Sequence, residues 1–149
     1  MAASFGWDIG GTNIKLAQAE DGRIIAVHQI PCPLVAEPSK FDDAVDEALA
    51  LCTPDATHAV TMTGELSDVF RTRAEGIAYL VALLAEATDA GTRFYNLQSG
   101  LVDAENAVEH WPEIASANWH ASVTLTASLC SDGLFVDVGT TTSDLIPLN

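Results

Sequence analysis

The chain has 149 residues, nearly half of them hydrophobic, which is enough for one domain with a real core and excludes a disordered tail or a fibrous repeat. Its 21 acidic and 6 basic residues give a formal charge of −15, which argues against a nucleic-acid surface and against docking on anionic lipid. The three cysteines, Cys32, Cys52 and Cys130, are widely spaced without a Cys-x-x-Cys pair, so buried free thiols are expected rather than a zinc site or a disulfide frame.

In chain order, Ser4–Ile9 reads as a strand that turns at Gly10-Gly11 into a second strand over Ile14–Ala19. Asp21-Gly22 is a hairpin signal, Arg23–Ile30 makes a third strand, and Pro31 and Pro33 end it. From Phe41 the spacing turns helical, with Phe41, Val45, Ala48, Leu49 and Cys52 on one face. Ser39 is the expected N-cap and Pro54 the expected stop. His58–Met62 follows as a short buried strand, then the polar loop Thr63–Asp68, then a helix over Arg73–Ala87 that Gly91 terminates. Thr92–Asn96 is the next strand, broken at Ser99-Gly100. Helices are expected over Asp103–Val108 and Ala117–Cys130, with an irregular Trp111-Pro112 corner between them. Leu134–Val138 and Ser143–Leu148 close the chain as strands. Antiparallel strands first and helix-separated strands afterwards imply an α/β fold, a mixed sheet covered by helices.

Two stretches carry the chemistry. Trp7-Asp8-Ile9-Gly10-Gly11-Thr12-Asn13 is a strand ending in an aspartate, then glycine and a hydroxyl, and Val136-Asp137-Val138-Gly139-Thr140-Thr141-Thr142 repeats that plan. Glycine brings backbone N–H groups close to an anion, and threonine adds a short donor. A strand-end carboxylate can orient a hydrated Mg2+, which keeps several waters and takes only one or two carboxylates. Gly10, Gly11, Thr12, Asn13, Gly139, Thr140 and Thr141 are therefore candidate phosphate binders, and Asp8 and Asp137 candidate metal ligands. Lys15 is the one fixed cation beside the first turn. Glu65, after a strand on a glycine-containing loop, is a candidate for substrate-side or base work, while Arg71 and Asn118 are substrate-side candidates. Each also has a plain structural reading: turn aspartates, a first-turn helix acid, a solvated arginine, a capping asparagine. No histidine has metal-ligand spacing.

The element order and the duplicated turns resemble the actin, sugar-kinase and Hsp70 superfamily, whose members have two ribonuclease-H-like lobes. The resemblance implies a first lobe over residues 1–132 and, over 133–149, the opening hairpin of a truncated second lobe. Closer resemblance is to the hydantoinase A/oxoprolinase family, in its methanofuran-biosynthesis branch linked to tetrahydromethanopterin-dependent one-carbon transfer. It is carried by Gly6–Lys15, by Thr61-Met62-Thr63-Gly64-Glu65-Leu66 with Arg71 and Glu75-Gly76, by Ala117-Asn118-Trp119 and by Asp137–Asp144.

This resemblance implies a transferase joining an aminomethylfuran diphosphate to the phenol oxygen of gamma-glutamyltyramine with release of pyrophosphate. Mg2+ is the implied cofactor, and Asp8, Glu65 and Asp137 the implied catalytic residues. Two other functions stay open. One is an ATP-dependent kinase or hydantoinase-type hydrolase, since phosphate turns do not separate ATP from a diphosphate. The other is a non-enzymatic half-length subunit that pairs as a homo-oligomer or with a chain supplying the second lobe. The expected partner is a phosphorylated small molecule, with no nucleic acid and no membrane. A cytoplasmic location is expected, and the 149 residues alone are expected to be inactive.

Overall fold

In β1 (Ser4–Ile9) Phe5, Trp7 and Ile9 are buried while Ser4, Gly6 and Asp8 look the other way, the two-residue period of a strand in a sheet. The structure is a computed structural model and describes residues 3–34, 40–88, 91–138 and 143–148. β1 pairs antiparallel with β2 (Asn13–Glu20), which pairs antiparallel with β3 (Arg23–Pro31). The turn between β2 and β3 has positive φ at both Asp21 (49°) and Gly22 (74°), the conformation that Asp-Gly favours in a two-residue hairpin.

Helix α1 (Lys40–Leu49) returns the chain to β4 (Thr57–Met62), parallel to β1 on its other side. Helix α2 (Arg73–Ala87) then leads to β5 (Thr92–Asn96), parallel to β4. With β6 (Gly100–Val102) antiparallel to β5, the sheet order is β3-β2-β1-β4-β5-β6. The α/β architecture and mixed sheet are as expected.

One face of the sheet makes the core. Phe5, Trp7, Ile9, Ile14, Leu16, Val60, Met62 and Phe94 pack with Phe41 and Val45 of α1 and with Ile77, Leu80 and Leu84 of α2. Each large apolar side chain so buried contributes roughly 1.5–3 kcal/mol. α2 starts where the sequence requires, because Thr72 accepts from the Glu75 N–H (3.1 Å) while the Glu75 carboxylate accepts from the Arg71 N–H (3.2 Å).

Five local expectations are corrected. Ser99-Gly100 does not simply break a strand. The Asn96 side chain accepts from the N–H groups of Gln98 and Ser99, the chain turns back, and β6 pairs with β5. The Trp111-Pro112 corner is a one-turn helix, α4 (Trp111–Ile114), with proline in its first turn where no N–H is missed. It follows α3 (Ala104–Glu109), capped by Asp103. α1 ends at Leu49, well before Pro54; α2 spans Arg73–Ala87 as expected, but Thr88 rather than Gly91 closes it. Of the three thiols only Cys32 is buried; Cys52 is partly covered and Cys130 exposed, though all are free. Ser39 lies outside the described residues.

Helix α5 (Asn118–Leu129) lies on the other face and leads to β7 (Gly133–Val138) and β8 (Ser143–Leu148), which form a separate two-stranded sheet. Leu134, Val136 and Leu145 of that hairpin are more than half exposed. No helix among the described residues is long and apolar enough to cross a membrane.

Candidate functional site

The end of β1 and the start of β2 hold the first group of candidate residues. Cross-strand register sets Asp8 opposite Lys15, and their side chains form an ion pair of 3.1 Å. Thr61 of β4 flanks Asp8 on the other side, its hydroxyl donating to the Trp7 carbonyl. Asp8 Oδ2 therefore has a partner. Its Oδ1 is inaccessible and has none among the described residues.

The turn that follows is tight. The Gly10 N–H donates to the Asn13 carbonyl at 3.0 Å, and a Cβ on Gly10 would stand 2.9 Å from that same oxygen. Gly10 is thus required sterically, whereas a Cβ on Gly11 would meet nothing within 4 Å. Thr12 is exposed, and its hydroxyl accepts from the Asn13 side-chain amide. The loop after β4 lies alongside, with the Thr63 N–H donating to the Ile9 carbonyl (2.8 Å).

That loop forms a 3-10 turn (Gly64–Leu66) on which Glu65 is 2 % exposed. Ser116, between α4 and α5, donates to Glu65 Oε1 at 2.8 Å, and Oε2 is buried without a partner among the described residues. Burial pushes the Glu65 carboxyl above its usual range, opposed by the Ser116 hydrogen bond and by the Arg73 charge. Gly76 permits the close fit, since a Cβ there would lie 2.9 Å from Glu65 Cα and Cβ and from the Phe70 ring. Ser116, at φ 54°, was not legible in the sequence as a partner.

The remaining candidates are more scattered. Arg71 is exposed before α2, and Asn118 opens α5 with its side chain accepting from the Trp119 N–H (2.8 Å). Asp137 is exposed on β7, opposite Asp144 in the register and in a sheet separate from Asp8. Gly139, Thr140 and Thr141 lie outside the described residues. Sequence reasoning also passed over His58, buried with its Nδ1 accepting from Trp7 Nε1 at 3.1 Å and held below its ordinary pKa by burial.

The match to known sequences comes through this same ground. The hydantoinase/oxoprolinase family profile matches residues 56–149, more than half of the chain. The chain belongs to the hydantoinase/oxoprolinase family. It is also 28% identical over 145 residues to a protein of Methanocaldococcus jannaschii named (4-{4-[2-(gamma-L-glutamylamino)ethyl]phenoxymethyl}furan-2-yl)methanamine synthase. That alignment takes in 96% of this chain and 42% of the relative, so the chain spans well under half of the relative's length. The family and branch expected from the motifs are the ones matched.

A hydrated Mg2+ takes only one or two carboxylates from a protein. Among the described residues the buried Asp8 Oδ1 has no partner, and no group of three or more potential ligands occurs. That donor set suits an ion that keeps waters and phosphate oxygens for most of its shell.

Proposed function

We propose that the chain carries the diphosphate-binding part of a transferase that joins an aminomethylfuran diphosphate to the phenol of gamma-glutamyltyramine, releasing pyrophosphate. The observation that carries this reading is the alignment to the synthase over 96% of the chain, taking in Asp8, the glycine turn and Glu65. The fold supports the matching lobe assignment. An antiparallel β1–β2–β3 followed by parallel β4 and β5 in the order β3-β2-β1-β4-β5 suits a ribonuclease-H-like lobe over 1–132. β7–β8 then suits the opening hairpin of a second lobe.

In this reading the phenol oxygen forms a bond to the methylene carbon, the carbon–oxygen bond to the diphosphate breaks, and pyrophosphate departs with the bonding pair. The phenol proton passes to a base. Gly10, Gly11, Thr12 and Asn13 hold the departing group with N–H and hydroxyl donors, and Lys15 supplies a fixed positive charge near it. Gly139, Thr140 and Thr141 have the same assignment on the second turn. When bound, Mg2+ would be held through Asp8 and Asp137 and would offset charge on the leaving pyrophosphate. Glu65, buried against Ser116, fits holding the β4 loop in place better than meeting substrate. Arg71, just before the start of α2, and Asn118, the first residue of α5, are assigned to the substrate side. The expected setting is the cytoplasm.

The test is to titrate the complete enzyme with Mg-pyrophosphate and with Mg-ATP, and to assay pyrophosphate release from the two substrates. Release that falls at least about 100-fold in Asp8→Asn supports the reading, a loss of the size seen when a transition-state charge contact is removed. Tight ATP binding with ATP turnover would instead make the protein an ATP-driven kinase or hydrolase.

A further inference from the structure

Gly6 stands in the middle of β1, where nothing in the backbone asks for glycine. Its φ is not positive, and a Cβ built there meets no atom within 4 Å. Glycine inside a strand weakens it, and often marks a bulge, a bend or a place where a ligand or another backbone comes close. What lies above it is a cavity of about 420 Å³ between the outward face of the sheet and α5. That is within the range of small-ligand sites, roughly 300–1,000 Å³.

The shape of the cavity names its occupant. The floor is flat and small, because Gly6 pairs with Ala17 on β2 and with Ala59 on β4. The walls are Tyr95 from the sheet and Leu125 from α5. A thin apolar group fits such a floor, and an aromatic ring is the side-on shape that small residues admit and an aryl wall favours. One end of the cavity is formed by Asp8, Lys15 and Thr61, so it adjoins the turn assigned to phosphate. α5 buries none of its own residues on this face, and a second hollow of about 680 Å³ shares Gly6, Ala17 and Ala59 in its lining.

We propose that this slot is an aryl subsite, taking the flat aromatic ring of a ligand whose phosphate end lies at the Gly10–Asn13 turn. The assignment rests on the reading above for the identity of the phosphate end, but the slot itself is tested without it. Binding of furfuryl alcohol (a bare ring without phosphate) and of Mg-pyrophosphate would be followed separately by amide chemical shifts on the full chain. The ring probe is expected to shift Gly6, Ala59 and Ala121, saturating at millimolar concentration, while pyrophosphate shifts Gly10–Asn13.

Gly6→Val, whose side chain enters open space in a strand that tolerates β-branched residues, is expected to fold with an unchanged or higher melting temperature. It should bind the ring probe at least tenfold more weakly and pyrophosphate as wild type does. Ala121→Leu, filling the slot from the helix side, is expected to do the same if Gly6→Val should fail to fold. Wild-type ring affinity in both variants, or ring-induced shifts absent from the slot, overturns the aryl subsite. Pyrophosphate shifts alone would leave the phosphate reading standing and remove the slot. Ring shifts alone would leave the slot standing and remove the phosphate reading.

Discussion

The two hairpins that share the Asp-x-Gly plan sit in opposite surroundings. β1 is paired on both sides, antiparallel to β2 and parallel to β4, and Phe5, Trp7 and Ile9 are at most 2 % exposed. Among the described residues β7 pairs only with β8, and Leu134, Val136 and Val138 are 52–73 % exposed. The pairing across the strand differs too: Asp8 faces Lys15, whereas Asp137 faces Asp144. The same local pattern thus accompanies the same antiparallel strand pairing, while stability and charge balance come from what the rest of the chain places around it.

The largest expected effect tests that difference in the core. Ile9→Ala in the first hairpin should lose about 2–5 kcal/mol, since a fully buried side chain is deleted and the cavity closes only in part. Val136→Ala in the terminal hairpin should change global stability by less than about 0.5 kcal/mol, as exposed positions do. Urea midpoints with unchanged slopes would measure both. Comparable losses would mean that the terminal hairpin is as well packed as the first.

A second prediction asks whether the β4 loop is locked beside the first hairpin. Gly76→Ala should destabilise by about 1–3 kcal/mol by overpacking against Glu65 and Phe70, although alanine is the better helix former. A gain in melting temperature would show that the loop moves aside freely.

Acidity separates two buried groups of the first hairpin's surroundings. Burial lowers the pKa of His58 below its ordinary 6.5, and its Nδ1 accepts from Trp7, so the folded protein takes up that proton less readily than the unfolded chain. Stability should be level above about pH 7 and fall as the pH drops below 6.5. Glu65 has the opposite sign. Its raised pKa means that the folded state holds the proton more tightly than the unfolded chain, so stability is lost as pH rises from about 4.5 through the folded value. Glu65→Gln should remove that loss, and its melting temperature relative to wild type should climb across this range. A difference that is flat with pH would show that Glu65 does not titrate between the two states.

Most of the fold was legible because it is written in short-range patterns. The alternation of β1, the Asp21-Gly22 turn and the stripe Ile77, Leu80, Leu84 each report directly on a strand, a hairpin and a helix face. β6 escaped because Gly100–Val102 is too short to show a period, and its hairpin depends on the side chain of Asn96. The end of α1 was misplaced because proline marks where a helix cannot continue, not where it stops. At the site, Asp8, Lys15 and the glycine turn come together because they are near in sequence. The contact of Glu65 with Ser116 spans 51 positions and the slot above Gly6 joins all six strands of the large sheet to α5, so neither has a local signature.

The smallest effect expected would make the second hairpin more like the first. Asp137 and Asp144 are directly opposed across β7 and β8, and like charges in that position are unfavourable. Asp144→Lys would restore the arrangement of Asp8 and Lys15. Because both positions are exposed, solvent and salt screen the pair, and the gain should be only about a few tenths of a kcal/mol. It should show as slower amide exchange confined to residues 133–138 and 143–148, shrinking in high salt. If Mg2+ is held at Asp137, the same substitution has a second consequence. The new ammonium would compete with the ion, so the added protection should be greatest in metal-free buffer and diminish as Mg2+ is titrated in. Protection that is independent of both salt and Mg2+ would show that the two aspartates do not interact, and would leave the acidic pairing of the second turn without a role in holding a cation.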